Sequence, residues 1–394
     1  MNEFLKRSWA QVDLDAIRNN VEELRRKTAP GTAMMAVVKA DAYGHGVEQT
    51  APELLRCGCD WFGVSNMEEA LQLRALCPDT PILILGHTPP EYAAALATGS
   101  LSQTVPDLQS AERLSFAAQQ AGVQVAVHLK IDTGMSRLGL VYHDSAQDGN
   151  ALADAKRICT LPGLYPEGIF THFACADEPG EGEVFTRLQF DLFLDILARL
   201  RRDGFEFPLR HCCNSAASIL YPEMHLDMIR PGVALYGLSP CAEAVACTAL
   251  MPTLQLKSTV SQYKMLAEGT PVSYGRTAVC KRPTIAAAVP IGYADGYPRA
   301  LSGKAEMLVA GRRVPVLGRI CMDQCVLDVT DIPNLREGET VTVIGRDGAE
   351  CISAEMLARQ LGTIHYELIC GISKRVPRIY IRGGETVACT NHLR

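Results

Sequence analysis

The chain has 394 residues, more than one ordinary core holds, so length alone favours two domains. Apolar residues make up 47% and charged residues 21%, a globular composition that excludes a disordered or low-complexity chain. The formal net charge is −6 and no Lys/Arg block stands out, which argues against a nucleic-acid partner.

The first residues, Met1-Asn2-Glu3-Phe4-Leu5-Lys6-Arg7, lack the apolar core of a secretory signal. No segment approaches the uncharged apolar length that spans a bilayer. A cytoplasmic protein with no membrane partner is the expectation. The 15 cysteines are an odd number in a long chain without a secretory signal, so a disulfide framework is not expected. Cys57-Gly58-Cys59 and Cys212-Cys213 are too close for paired zinc-ligand spacing, and no metal site is expected.

Taken in chain order, short apolar runs alternate with amphipathic stretches. The runs are Met34–Val38, Trp61–Val64, Ile82–Leu85, Ser102–Val105, Val123–Ile131, Gly168–Phe170, Leu209–Cys213 and Met228–Arg230. Between them lie helical patterns such as Asn66–Leu76, Asp107–Ala121 and Val184–Arg202. In the first helix Leu14, Ile17, Val21 and Leu24 share one face, with Asp13 as N-cap. Eight strand–helix units predict an α/β fold, a (β/α)8 barrel of the TIM type over residues 12–240. The texture then changes. Strand signals at Leu254–Leu266, Thr284–Gly292, Met307–Val329 and Thr340–Ile344, with one helix near Ser353–Gln360, predict a C-terminal β-rich domain over 241–394. Residues 1–11 are candidates to join it.

The first barrel strand closes on a lysine, in Ala36-Val37-Val38-Lys39-Ala40-Asp41-Ala42-Tyr43-Gly44-His45-Gly46. The carboxyl end of a barrel strand is where such active sites lie. A desolvated lysine there is a nucleophile able to form a Schiff base with a carbonyl cofactor. One lysine at a strand end, taken alone, reads better as a surface residue. The eleven residues together resemble the lysine motif of the alanine racemase family. A related motif occurs in single-barrel pyridoxal-phosphate proteins, so it points to the cofactor, pyridoxal 5'-phosphate, more than to the reaction.

Further motifs extend the resemblance over nearly the whole chain. They are His128-Leu129-Lys130-Ile131-Asp132-Thr133-Gly134-Met135-Ser136-Arg137, Thr171-His172-Phe173-Ala174, His211-Cys212-Cys213-Asn214-Ser215 and Met228-Ile229-Arg230-Pro231-Gly232-Val233. In the second domain, Pro271-Val272-Ser273-Tyr274-Gly275, Pro290-Ile291-Gly292-Tyr293 and Gly318-Arg319-Ile320-Cys321-Met322-Asp323-Gln324 match three more. The resemblance implies Lys39 and Tyr274 as the two catalytic bases on opposite faces of the substrate. It implies that Arg230 faces the pyridine nitrogen and that Arg137 contacts the cofactor and the substrate carboxylate. Lys130, carbamylated in some members, would position Arg137, and His172 would relay between the tyrosine and an arginine. Tyr43, Asn214, Ser215, Gly232, Val233 and Tyr366 would hold the phosphate. Met322 would bind the substrate carboxylate, and Tyr293 and Tyr366 would shape the entry.

The function implied is interconversion of L- and D-alanine, by a homodimer with shared sites, supplying D-alanine for peptidoglycan. Three rivals stand beside it. Serine racemases of this fold tend to carry a smaller polar residue in place of Tyr366. The barrel-plus-β decarboxylases carry a cysteine–aspartate signature not evident here. A cofactor carrier without turnover would lack the second domain and Tyr274.

Overall fold

The structure, a computed structural model, describes residues 4–393. The chain divides into two compact units, one of residues 17–42 and 50–251, the other of residues 4–16, 43–49 and 252–393.

The first unit contains an eight-stranded parallel barrel. Its strands are Ala33–Val37, Trp61–Val64, Ile82–Ile84, Leu101–Val105, Val125–Asp132, Leu164–Phe170, Leu209–His211 and Met228–Ile229. The first seven pair in parallel in order, and the eighth pairs in parallel with the first. Between the seventh and eighth strands the ring is closed by the Asp227 amide on Arg210 O at 3.1 Å and the Arg230 amide on Cys213 O at 3.0 Å. All eight expected strands are present. Strands such as Trp61–Val64 and Ile82–Ile84 are buried on both faces, which explains why they read as unbroken apolar runs. The sixth begins earlier than the apolar run does, at Leu164, because Tyr165-Pro166-Glu167 carries no hydrophobic signal. Met35, Trp61, Leu83 and Met228 pack together in the barrel's core.

The outer helices start where capping residues stand. Asn66 Oδ1 accepts from the Glu69 amide and Asp107 Oδ1 from the Ser110 amide. Gly122, at φ 65°, ends the second of these helices in a left-handed turn.

The second unit is β-rich, so the predicted fold class holds for both parts of the chain. Its main sheet places Ser8–Asp13 between Leu254–Thr259, antiparallel, and Arg378–Arg382, parallel. The predicted Leu254–Leu266 run is two strands, Leu254–Thr259 and Gln262–Leu266, which belong to different sheets. The predicted Met307–Val329 run is three strands, Glu306–Val309, Arg312–Pro315 and Cys325–Asp328, with a loop before the last. The expected helix is Ala354–Leu361, capped by Ser353. No disulfide links the cysteines. Among the described residues no helix is long and apolar enough to cross a membrane, and no cluster of metal-binding side chains is found.

Candidate active site

Lys39 follows directly on the first barrel strand and Val38. The chain then enters the left-handed region and stays there. Ala40 (φ 54°, ψ 49°), Asp41 (φ 55°, ψ 50°) and Ala42 (φ 54°, ψ 51°) form a left-handed turn, and Tyr43 has φ 53°. None of the four is glycine, so each costs about 1–2 kcal/mol. The barrel holds the turn at two points. The Ala42 amide donates to Val38 O at 2.8 Å. The Glu69 carboxylate accepts the Ala40 amide on one oxygen and the Ser65 amide on the other, each at 2.7 Å.

Arg230 follows directly on the eighth strand and is buried. Its guanidinium donates to His211 Nδ1 at 2.9 Å, Thr171 O at 3.0 Å, His172 Nδ1 at 3.2 Å and Cys212 O at 3.1 Å. All four acceptors are neutral. Burial lowers the guanidinium to about 10, so it remains a cation at neutral pH. Phe170 lies beneath it, 5.3 Å from ring centroid to guanidinium carbon, and stacks on His211 at 4.8 Å.

His172 is pushed well below the ordinary histidine range by burial and then by Arg230, Lys130, Arg137 and Lys39. The charges named there are all cations. His172 is therefore neutral, and because its Nδ1 accepts from Arg230 its proton sits on Nε2. Lys130 is buried, with Nζ donating to Ile131 O at 2.9 Å and 5.4 Å from the Phe170 centroid. Burial, with Arg230 next, lowers its amine to about 7. Asp132 caps the following loop by accepting the Gly134 and Ser136 amides at 3.0 Å, and Arg137 is exposed on that loop.

Asn214 caps the short helix Ser215–Leu220 by accepting the Ala217 amide at 3.0 Å. The Ser215 hydroxyl accepts the Gly232 amide at 2.8 Å. Asn214, Ser215, Gly232 and Val233 thus converge at the ends of the seventh and eighth strands, with Gly232 and Val233 opening the 3-10 helix Val233–Tyr236.

In the β-rich unit, Ser273, Tyr274, Gly275, Cys321, Met322, Asp323 and Gln324 line an open cavity of about 620 Å³. The Ser273 hydroxyl donates to Arg319 O, tying the Tyr274 loop to the Met322 loop. A Cβ on Gly292 would lie 2.3 Å from Cys321 O and 2.4 Å from Met322 O, so only glycine lets the Tyr293 turn approach so closely. Tyr274 (69%), Met322 (52%) and Tyr293 (42%) are all exposed. In the same unit Tyr43 is buried against Tyr366, with centroids 6.2 Å apart, and burial pushes the Tyr43 phenol up. Arg378 holds the segment after Tyr43 by donating to Gly44 O at 3.0 Å, and to Ile372 O, Ser373 O and Val376 O.

Comparison with known proteins agrees with this arrangement. Residues 12–240 match the model of the alanine racemase N-terminal domain, and residues 253–380 that of the alanine racemase C-terminal domain. The alanine racemase of Desulfosudis oleivorans is 44% identical over 390 residues, 98% of this chain and 99% of that protein. The chain belongs to the alanine racemase family. The alanine racemase of Methanococcus maripaludis is also 44% identical, over 95% of this chain and 98% of that one. Among solved structures, an alanine racemase from Bacillus anthracis with bound L-Ala-P superposes with a TM-score of 0.91, at 36% identity and 99% coverage of both chains. One from Clostridium difficile 630 gives 0.93, at 32% identity and 100% coverage of both.

For this alanine racemase family member, the sequence motifs named most of the residues above and passed over three contacts that hold them. Glu69 lies inside the Asn66–Leu76 helical pattern, and its reach to two backbone amides has no sequence signature. His211 and His128 stood inside motifs without a role. His128, Lys130 and Asp132 alternate along one strand, so they share a face. Three polar residues on one face of a buried strand was the signal available.

Replacing Glu69 by Ala should loosen the turn that follows Lys39. We expect a loss of roughly 1–2 kcal/mol in stability and a fall of about tenfold in kcat. Thermal unfolding and steady-state kinetics check this, and an unchanged kcat would show that Glu69 does not place the turn.

Proposed function

We propose that this chain binds pyridoxal 5'-phosphate in its barrel and racemises alanine with Lys39 and Tyr274 as the two acid–base groups. The observation that carries the reading is the set of basic residues whose field reaches His172, with Arg230 hydrogen-bonded to it. Arg230, Lys130, Arg137 and Lys39 all act on one neutral imidazole. Such a field fits an anionic, phosphate-bearing ring and a substrate carboxylate. The Ser215 hydroxyl and the Gly232 and Val233 amides, with Asn214, Tyr43 and Tyr366, are the groups that would hold the phosphate.

The cofactor supplies an electron sink that makes the α-hydrogen of a bound amino acid acidic. Racemisation needs a proton removed from one face of the α-carbon and returned on the other, so two groups serve where one rigid base cannot. The Lys39 amine serves one face and the Tyr274 phenol the other. With its proton on Nε2, His172 is a donor suited to a phenolate rather than a proton acceptor. Arg230 donates hydrogen bonds without giving up a proton, so it would support the ring nitrogen and leave it unprotonated. Arg137 and the Met322 amide would bind the substrate carboxylate, with Tyr293 and Tyr366 bounding the entry. The setting we infer is the cytoplasm, with D-alanine supplied to peptidoglycan synthesis.

An amino-acid panel assayed by chiral chromatography tests the reading. D-alanine should form from L-alanine, with kcat/KM for alanine well above that for serine because Tyr366 would crowd the hydroxymethyl group. Comparable values for the two would favour a serine racemase, and no turnover with cofactor bound would favour a carrier. Lys39→Ala should abolish racemisation.

We infer that Lys130 carries a carbamate. With its amine lowered to about 7, roughly half is uncharged at neutral pH, against less than a thousandth for an ordinary lysine. The neutral nitrogen attacks carbon dioxide, the N–C bond forms and the amine proton goes to solvent. Carbon-13 bicarbonate should give a protein-bound carbonyl resonance that disappears below about pH 6, as the amine protonates, and is missing in Lys130→Ala. A wild-type spectrum without that resonance excludes the modification.

The active unit we infer is a head-to-tail homodimer, with Lys39 from one chain and Tyr274 from the other. The exposed Tyr274, Met322 and Tyr293 support it, since a working base and a substrate site need exclusion from bulk water. Lys39→Ala and Tyr274→Phe dimers should each be nearly inactive. After subunit exchange, one site of each mixed dimer has both groups intact, so mixing should restore activity. No rescue, with exchange verified by mass spectrometry, refutes the shared site.

A further inference from the structure

The hydrogen bonds that leave Arg230 do not stop at His211. His211 Nε2 lies 2.9 Å from His128 Nδ1. His128 Nε2 in turn lies 3.2 Å from Glu167 Oε2, and the Ser102 hydroxyl donates to the same oxygen. A guanidinium only donates and a carboxylate only accepts. With both ends so constrained, one proton assignment satisfies every contact. His211 accepts at Nδ1 and donates at Nε2, and His128 does the same. All the donors then point from Arg230 toward Glu167.

The surroundings are consistent with that order. Burial lowers both imidazoles, His211 well below the ordinary range, with Arg230 acting next on His211 and the Glu167 hydrogen bond opposing on His128. Burial raises the Glu167 carboxyl, but the hydrogen bonds from His128 and Ser102 outweigh it and the net shift is downward.

The backbone is shaped for the contact. Val127 pairs with Pro166 and His128 with Gly168, so Glu167 is an extra residue in its strand. A bulge of this kind re-aims one side chain, and proline inside a sheet is confined to bulges and edges. A Cβ on Gly168 would come within 2.4 Å of His128 Nδ1, so glycine is what leaves room for the imidazole. Trp61 meets the His128 ring edge-on at 5.7 Å.

We propose that Glu167, acting through His128, is a positioning residue for the racemase site that holds His211 as an Nδ1 acceptor and so aims the Arg230 guanidinium. Without the carboxylate, His128 has no acceptor at Nε2 and its proton can move to Nδ1. His211 must then reverse, bringing an N–H against a guanidinium N–H. Arg230 would turn away from the ring it faces.

The proposal rests on the role given above to Arg230, and the experiment separates the two. Ring nitrogens of histidine are labelled with nitrogen-15 and read by NMR in the cofactor-loaded enzyme, with signals assigned through His128→Phe and His211→Phe. Both wild-type residues should be neutral with the proton on Nε2. Glu167→Leu should lower kcat roughly ten- to a hundredfold, leave KM for alanine within about twofold and change the His211 ring signals. Glu167→Gln, whose amide oxygen still accepts, should restore the wild-type spectrum and most of kcat. A wild-type His211 with its proton on Nδ1 overturns the proposal even if the leucine variant fails to fold. So does a folded Glu167→Leu enzyme with wild-type kcat while Arg230→Gln is impaired. If Arg230→Gln itself keeps full kcat, the role of Arg230 falls and this proposal falls with it.

Discussion

A buried guanidinium cannot be neutralised, and that constraint organises the barrel interior. Removing such a cation from water costs several kcal/mol unless its donors are satisfied. Arg230 meets the requirement with two backbone carbonyls and two imidazole nitrogens rather than with a carboxylate. The choice of neutral partners matters. An adjacent carboxylate would cancel the charge, whereas neutral acceptors leave it available to an anionic ring. It also sets the histidines, because each imidazole that accepts from arginine must carry its proton on the other nitrogen.

The same field reaches Lys130 and His172. Both lie near Arg230, and burial followed by that charge lowers both, so both are available as neutral groups near pH 7. Burial is the larger cause in each case, and the Arg230 charge acts in the same direction. Phe170, stacked between His211 and the cations, keeps water from screening that charge.

Around Lys39 the constraint is conformational. Four consecutive non-glycine residues in the left-handed region would not persist alone. The cost is offset by hydrogen bonds at the strand end and by a carboxylate that grips two amides. In the β-rich unit the limit is closeness of backbone to backbone. Gly292 lets the Tyr293 turn lie on the Met322 loop, and the Ser273 hydroxyl ties the Tyr274 loop beside it. Strained and tightly apposed loops of this kind keep side chains such as Tyr274 in one position while they remain exposed.

Period and punctuation in the sequence determined the barrel, since buried parallel strands separated by capped helices leave a pattern readable one segment at a time. The long motifs around Lys39, Lys130, Arg230 and Tyr274 likewise named the family. What the linear pattern could not determine was anything that depends on two distant segments meeting. The Leu254–Leu266 run reads as one strand, yet its halves join different sheets because sheet partners are chosen by packing. Glu167 sits in a stretch with no strand signal, and only the bulge opposite His128 turns it toward the imidazole. The direction of the protons from Arg230 to Glu167 follows from contacts between four strands. Hydrogen-bond polarity belongs to the assembled network, and no single residue in the chain carries it.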